Sequence, residues 1–260
     1  MKIVALVKHV PDATADRTFT EADHTTDRTG VDGLLSELDE YAVEEALKIA
    51  GTGDAEVVAL TMGPAGASDA LKKALQMGAD AAVHVLDDAL HGSDAPATAR
   101  VLAAALTKIG DVDLVLTGMA STDGGMSVVP AMLAEHLDLA HVGLVGELSV
   151  DGDTVRCRRD NDTAAETVEA ILPAIVSVTD QINEPRYPSF KGIMAAKKKP
   201  VDTWSLADLD IDPATVGLAG AWSVVHAVTK RPERTQGEIV TDDGEGGIAL
   251  VEYLAAQKFV

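Results

Sequence analysis

A single cysteine, Cys157, occurs in 260 residues, so no internal disulfide can staple this fold. The lone thiol falls in an alternating, strand-like stretch where a small buried residue is the default. Basic residues are outnumbered, with 21 Lys and Arg against 42 Asp and Glu and a net charge of −21. A surface of that sign repels phosphate backbones and anionic lipid, which argues against nucleic-acid binding and membrane-surface roles. No apolar run reaches the roughly 18 residues that a membrane-spanning helix needs, and the opening MKIVALVKHVPD is too soon charged for a secretory signal. A cytoplasmic protein without direct membrane insertion is expected. The histidines at 9, 24, 84, 91, 136, 141 and 226 include no i, i+4 pair and no partner cysteine, so no metal site is expected. Neither G-x-x-x-x-G-K-[ST] nor G-x-S-x-G is present, and 244–249 (GEGGIA) matches G-x-G-x-x-A only by letter, after an acidic stretch rather than a strand. No catalytic residue is expected.

What is present is a 47% hydrophobic chain, long enough for one full α/β core with an appendage. Short apolar runs at 2–8, 55–63, 81–87 and 113–118 alternate with helix-period segments near 39–50, 66–77, 94–109 and 125–137. That alternation predicts a parallel sheet with helices on both faces. Ser36 and Asp39 fit a capping pair for the first helix. From about 143 an Asp-Gly-Asp turn between alternating segments predicts a β-hairpin, and 173–180 (PAIVSVTD) reads as a further buried strand. After 200 the alternation stops, apart from a helix near 248–257. Residues 1–200 are therefore expected to form an α/β domain, to which the likeness described below adds nucleotide binding, and 201–260 a C-terminal arm. Its Trp204, Leu206, Trp222, Val224 and Val225 exceed what one core can cover, so the arm is expected to pack on a partner subunit.

Ligands of open parallel sheets bind outside the carboxyl ends of the strands. Three such ends carry suggestive residues: 6–9, 62–66 and 118–125 (GMASTDGG). The last is either a simple tight turn or a cradle in which amides and hydroxyls hold a phosphate or ribose. The scarce aromatics point elsewhere. Of three phenylalanines one, Phe190, lies in 183–200 (NEPRYPSFKGIMAAKKKP), where Pro185 and Pro188 remove donors and predict an irregular surface loop over 184–189. Phe190 either folds back beneath that loop or serves as a docking anchor. Lys197, Lys198 and Lys199 are either a solvated run or a spot that steers an acidic partner.

Several co-linear segments give this chain a recognisable likeness. NEPRYPSFKGIMAAKKK resembles the recognition loop of electron-transfer flavoprotein beta subunits, N-E-P-R-Y-x-x-Leu-x-x-I-M-x-A-K-K-K, with Phe190 where the family usually has leucine. VKHVPD, EYAVEEAL (40–47), GPAGA and ALQMGAD (63–80), and GMASTDGGMSVVPAMLAE (118–135) are similar to further segments of that family. The resemblance implies a Rossmann-like, adenine-nucleotide-hydrolase-like sheet. It implies AMP enclosed by Leu6, by Ser36, Glu37, Leu38 and Asp39, by Met62, and by Gly118, Met119, Ala120, Ser121, Thr122, Asp123, Gly124, Gly125, Met126, Ser127, Val128 and Val129. Gly125, Val128 and Val129 depart from the family's acidic and Gln-Thr or Gln-Val pattern, which leaves backbone amides and Ser127, with Ser121 or Thr122, to hold the phosphate.

The same resemblance implies FAD shared with, and mainly held by, an alpha subunit, with Ala13 and Leu38 near the flavin and Asp160 facing the alpha subunit's mobile flavin domain. Docking on acyl-CoA dehydrogenases and similar flavoenzymes would use 183–196, in particular Arg186, Tyr187, Pro188, Ser189, Phe190, Lys191, Gly192, Ile193, Met194 and Ala195, and electrons would pass onward to a quinone oxidoreductase. Two rivals remain at this stage: a flavin-bifurcating relative with a second FAD in place of AMP, and a free-standing AMP- or ATP-binding α/β protein.

Overall fold

A computed structural model describes residues 1–237 and 239–260. Its first half runs β1 (Lys2–Leu6), β2 (His9–Pro11), β3 (Gly33–Leu35), α1 (Glu37–Thr52), β4 (Glu56–Met62), α2 (Ser68–Met77), β5 (Ala81–Val85), α3 (Ala95–Ile109), β6 (Leu114–Gly118) and α4 (Val129–Leu137). Then follow β7 (Ala140–Val145), β8 (Glu147–Asp151), β9 (Thr154–Asp160), β10 (Ala165–Ile171), β11 (Ala174–Val178), α5 (Phe190–Ala196), β12 (Val201–Trp204), α6 (Gly217–Gly220) and α7 (Gly246–Ala256).

The apolar run at the start of the chain shows why the sheet forms. Ile3, Ala5 and Val7 face one core cluster while Val4 and Leu6 face the other, so a strand buried on both sides reads as continuously hydrophobic. Seven strands pair in the order β12-β5-β4-β1-β6-β11-β7, all parallel. Residues of α1 and α2 cover one face and those of α3 and α4 the other. This is the α/β architecture expected from the alternation of strand and helix.

The hairpin also forms, with Asp151 paired to Thr154 across a turn whose Gly152 sits at φ 59°. A third strand, β10, extends it to an antiparallel sheet that buries Val155 and Cys157 against the α1 side of the core. Sequence periodicity missed β10, and also β2 with β3, β7 and β12. The short ribbon of three-residue strands shows no period, and the other three expose much of their length.

Three further differences bear on function. The helix expected from 125 starts at Val129, because Gly125 and Ser127 take left-handed φ values of 61° and 57° and keep the loop irregular. The second half of the expected loop at 183–196 is helical: Ser189 accepts from the Gly192 amide at 3.0 Å and caps α5. Residues 201–226 belong to the α/β body rather than to an arm, since β12 pairs with β5 and Leu206, Leu209 and Val216 are buried in the core. The chain divides into Met1–His226 and Ala227–Val260. In the second unit, α7 has no buried residue and displays Ile248, Leu250, Val251 and Tyr253. Among the described residues no helix is long and apolar enough to cross a membrane.

Candidate functional site

The sheet grows in one direction from β1 through β4 and in the other through β6, so the carboxyl ends of β1 and β6 form the topological switch point where open α/β sheets bind ligands. The loops leaving these two strands meet there. Ser36 donates its amide to Lys8 O at 2.8 Å, which brings the start of α1 over the end of β1. Gly118 then lets α1 approach β6, since a Cβ at that position would lie 2.6 Å from Leu38 O and 2.7 Å from Asp39 Oδ1.

Ser36 does hold the N-cap position, but its side chain makes no cap to α1. Its hydroxyl instead accepts from the Thr122 amide at 3.4 Å, while Asp39 Oδ2 accepts from the Lys8 amide at 2.8 Å. The expected capping pair is thus spent on holding β1 and the 119–128 loop together. Burial pushes the Asp39 carboxyl up to about 7, against the pull of the Lys8 amide and charge.

Asp123 is the hub of the loop. Its side chain is 4% exposed and bridges Lys8 Nζ at 2.8 Å and Arg28 Nη2 at 2.7 Å. Burial alone would raise its pKa; the Lys8 charge and hydrogen bond, the Ser121 hydroxyl and Arg28 outweigh that and hold it well below the usual carboxylate range. Lys8 Nζ also reaches Ser121 Oγ at 3.3 Å, and Arg17 Nη1 donates to Thr122 O at 2.7 Å. Two cations therefore surround the Asp123 carboxylate, with the buried Asp39 carboxyl close to the same lysine. Lys8 and Arg28 are contributions that the sequence reading did not pick out, although Lys8 lies within the VKHVPD segment.

Beside this cluster the amides of Met126, Ser127, Val128 and Val129 have no partner among the described residues, and Pro130 has none to offer. Left-handed Ser127 followed by right-handed Val128 makes a nest of N–H groups at the start of α4. These groups suit a single phosphate. Leu6 and Met62 end neighbouring strands and Glu37 and Leu38 open α1 beside them, so the structure brings the strand-end residues together. Ala13 is exposed beyond β2, and Asp160 ends β9 on the antiparallel sheet, 3.2 Å from Arg158 Nε.

The segment at 183–189 is irregular, as the prolines predict. Tyr187 is 92% and Phe190 81% exposed, so Phe190 does not fold beneath its loop. Ile193 and Met194 extend the exposed apolar surface along α5, and Gly192 brings that helix against α2, where a Cβ would lie 2.5 Å from Gln76 O. Of the three lysines, Lys199 is tied down, donating to Leu75 O at 3.2 Å and Gly78 O at 2.9 Å at the carbonyl end of α2.

Comparison with known proteins agrees with this architecture. A family model described as an electron transfer flavoprotein domain matches residues 23–209. The electron transfer flavoprotein subunit beta of Mycobacterium tuberculosis is 48% identical over 263 residues, 99% of each chain. Its counterpart from Clostridium acetobutylicum is 36% identical over 240 residues, 92% of each chain. The caffeyl-CoA reductase-Etf complex subunit CarD of Acetobacterium woodii is 34% identical, covering 93% of this chain and 92% of its own.

Proposed function

Since the chain belongs to the electron transfer flavoprotein family and matches its beta subunits from end to end, we propose that it pairs with an alpha subunit, shares an FAD held mainly by that partner, and binds AMP at the strand-end site. In this reading the heterodimer accepts electrons from acyl-CoA dehydrogenases and similar flavoenzymes in the cytoplasm and passes them toward a quinone oxidoreductase. One observation carries the nucleotide assignment: free amides at the start of α4 lie beside Lys8 and Arg28 on a chain whose net charge is −21.

FAD, when bound, supplies the redox chemistry. The residues of this chain bind and orient. The Met126 to Val129 amides hold one phosphate, Lys8 and Arg28 fix the loop through Asp123, and Leu6 and Met62 flank the adenine. Ala13 and Leu38 approach the flavin, Asp160 faces the alpha subunit's flavin domain, and the unit after His226 packs on the alpha subunit. Tyr187 and Phe190 lead the docking of partner flavoenzymes.

Co-expression with an alpha subunit, followed by an absorption spectrum and nucleotide analysis of the denatured complex, tests this reading. One FAD and one AMP per heterodimer is the expected result. A second reading, a bifurcating relative with FAD in the AMP site, draws on the likeness to the CarD subunit and on the loss of side-chain donors at Gly125, Val128 and Val129. Two FAD and no AMP would decide for it.

A further inference from the structure

The segment at 183–189 has no ladder to order it, yet it is fastened to the flank of α1 through two buried carboxylates. Glu44, 6% exposed, accepts three hydrogen bonds from one residue: Arg186 Nε at 2.7 Å, Arg186 Nη2 at 2.9 Å and the Arg186 amide at 3.2 Å. Two oxygens meeting a guanidinium fork and an amide fix the side chain and the backbone of Arg186 together. Asn183 Nδ2 is held one turn away by Tyr41 O at 3.0 Å and Glu45 Oε2 at 2.9 Å, and Glu45 is itself paired with Lys48 at 2.9 Å. Ser189 closes the segment as the cap of α5. Pins thus fall at 183, 186 and 189, with one proline inside each interval, Pro185 and Pro188, restricting φ.

We propose that Glu44, acting through Arg186, is the positioning residue of the docking segment. Affinity for a partner flavoenzyme depends on it although its carboxylate is buried beneath the segment. The inference rests on the docking role assigned above to Tyr187 and Phe190. Its physical basis is preorganisation: a segment already held in its bound shape loses less freedom on association. A glutamine at 44 would set an NH₂ group against one of the three donors, so it breaks the three-point grip while keeping volume.

In the heterodimer assembled with its alpha subunit, Glu44→Gln is expected to speed amide exchange at Arg186, Tyr187 and Phe190 by about tenfold. It is expected to raise the apparent KM of an acyl-CoA dehydrogenase, reduced with octanoyl-CoA, for the carrier by about tenfold, with turnover at saturating carrier within about twofold. If that variant does not assemble, Glu44→Asp, which keeps the charge but shortens its reach to Arg186, carries the same two measurements. Phe190→Ala run in parallel separates two failures. A raised KM for Phe190→Ala with unchanged exchange and KM for Glu44→Gln overturns the positioning role and leaves docking intact. An unchanged KM for both removes the docking role and the proposal with it. A lowered melting temperature with unchanged KM reduces the pair to a structural tie and also overturns the proposal.

Discussion

Asp39 and Asp123 share the carboxyl edge of the sheet yet titrate in opposite directions, because burial dominates at the first and is outweighed by Lys8 and Arg28 at the second. Their effects on stability fall in different pH windows. Asp123, with a depressed folded value, stabilises the fold above about pH 3.8, and that contribution is lost as pH falls through its lower folded value. Asp39 goes from 3.8 to about 7 on folding, so its protonated form stabilises fully below 3.8 and the contribution fades as pH rises through 7. Relative to an Asp39→Asn variant, the natural chain should lose up to about 4 kcal/mol between pH 4 and pH 8. Melting curves of both proteins across that range check it, and parallel pH profiles would count against a buried, elevated Asp39. Phe190 makes a contrasting case. At 81% exposure, its replacement by alanine should change stability by no more than about 0.5 kcal/mol while weakening partner binding roughly thirtyfold. A large fall in melting temperature would show that the ring supports the fold after all. Neither the role of Asp39 nor the reach of Lys8 was legible in the chain, because no local spacing connects positions 8, 28, 39 and 123. For Phe190 the two nearby prolines excluded a sheet but left exposure and folding back both open, and its 81% exposure decides between them.

Helix α1 joins the strand-end site and the 183–189 segment. Its first turn packs on Gly118, and its middle, through Glu44 and Glu45, holds Asn183 and Arg186 of that segment. Gly118→Ala forces a methyl group against Leu38 O and the Asp39 carboxylate, so α1 must move off β6. A loss of about 1–3 kcal/mol in stability, together with loss of co-purifying nucleotide, is expected. An alanine variant that melts like the natural chain and keeps its nucleotide would show that α1 has room to yield. The central strands and the helices over them were readable from sequence because burial on both faces writes a continuous apolar run. Strands at the margins were not. β12 is largely exposed, and β10 shows only alternating exposure and half-burial, so neither carries the hydrophobic signal that marked β1, β4 or β6.

The two units of the chain differ in how they are built. Met1–His226 holds the buried core, whereas α7 in Ala227–Val260 buries nothing of its own. A chain ending at His226 should therefore keep its secondary structure and melt within about 3 °C of the full chain, because no apolar burial of α7 is forfeited. It should fail to hold an alpha subunit through gel filtration. Circular dichroism and co-elution measure the two outcomes, and a truncated chain that still co-elutes would move the interface elsewhere.

The position of β12 at the sheet margin has a consequence in time. Its partner β5 emerges from the ribosome more than a hundred residues earlier, so at about 5–20 residues per second the bare edge of β5 waits for several seconds or longer. An unpaired edge is a template for a strand from another chain. Until Val201–Trp204 arrive, the nascent protein is open to mispairing at β5.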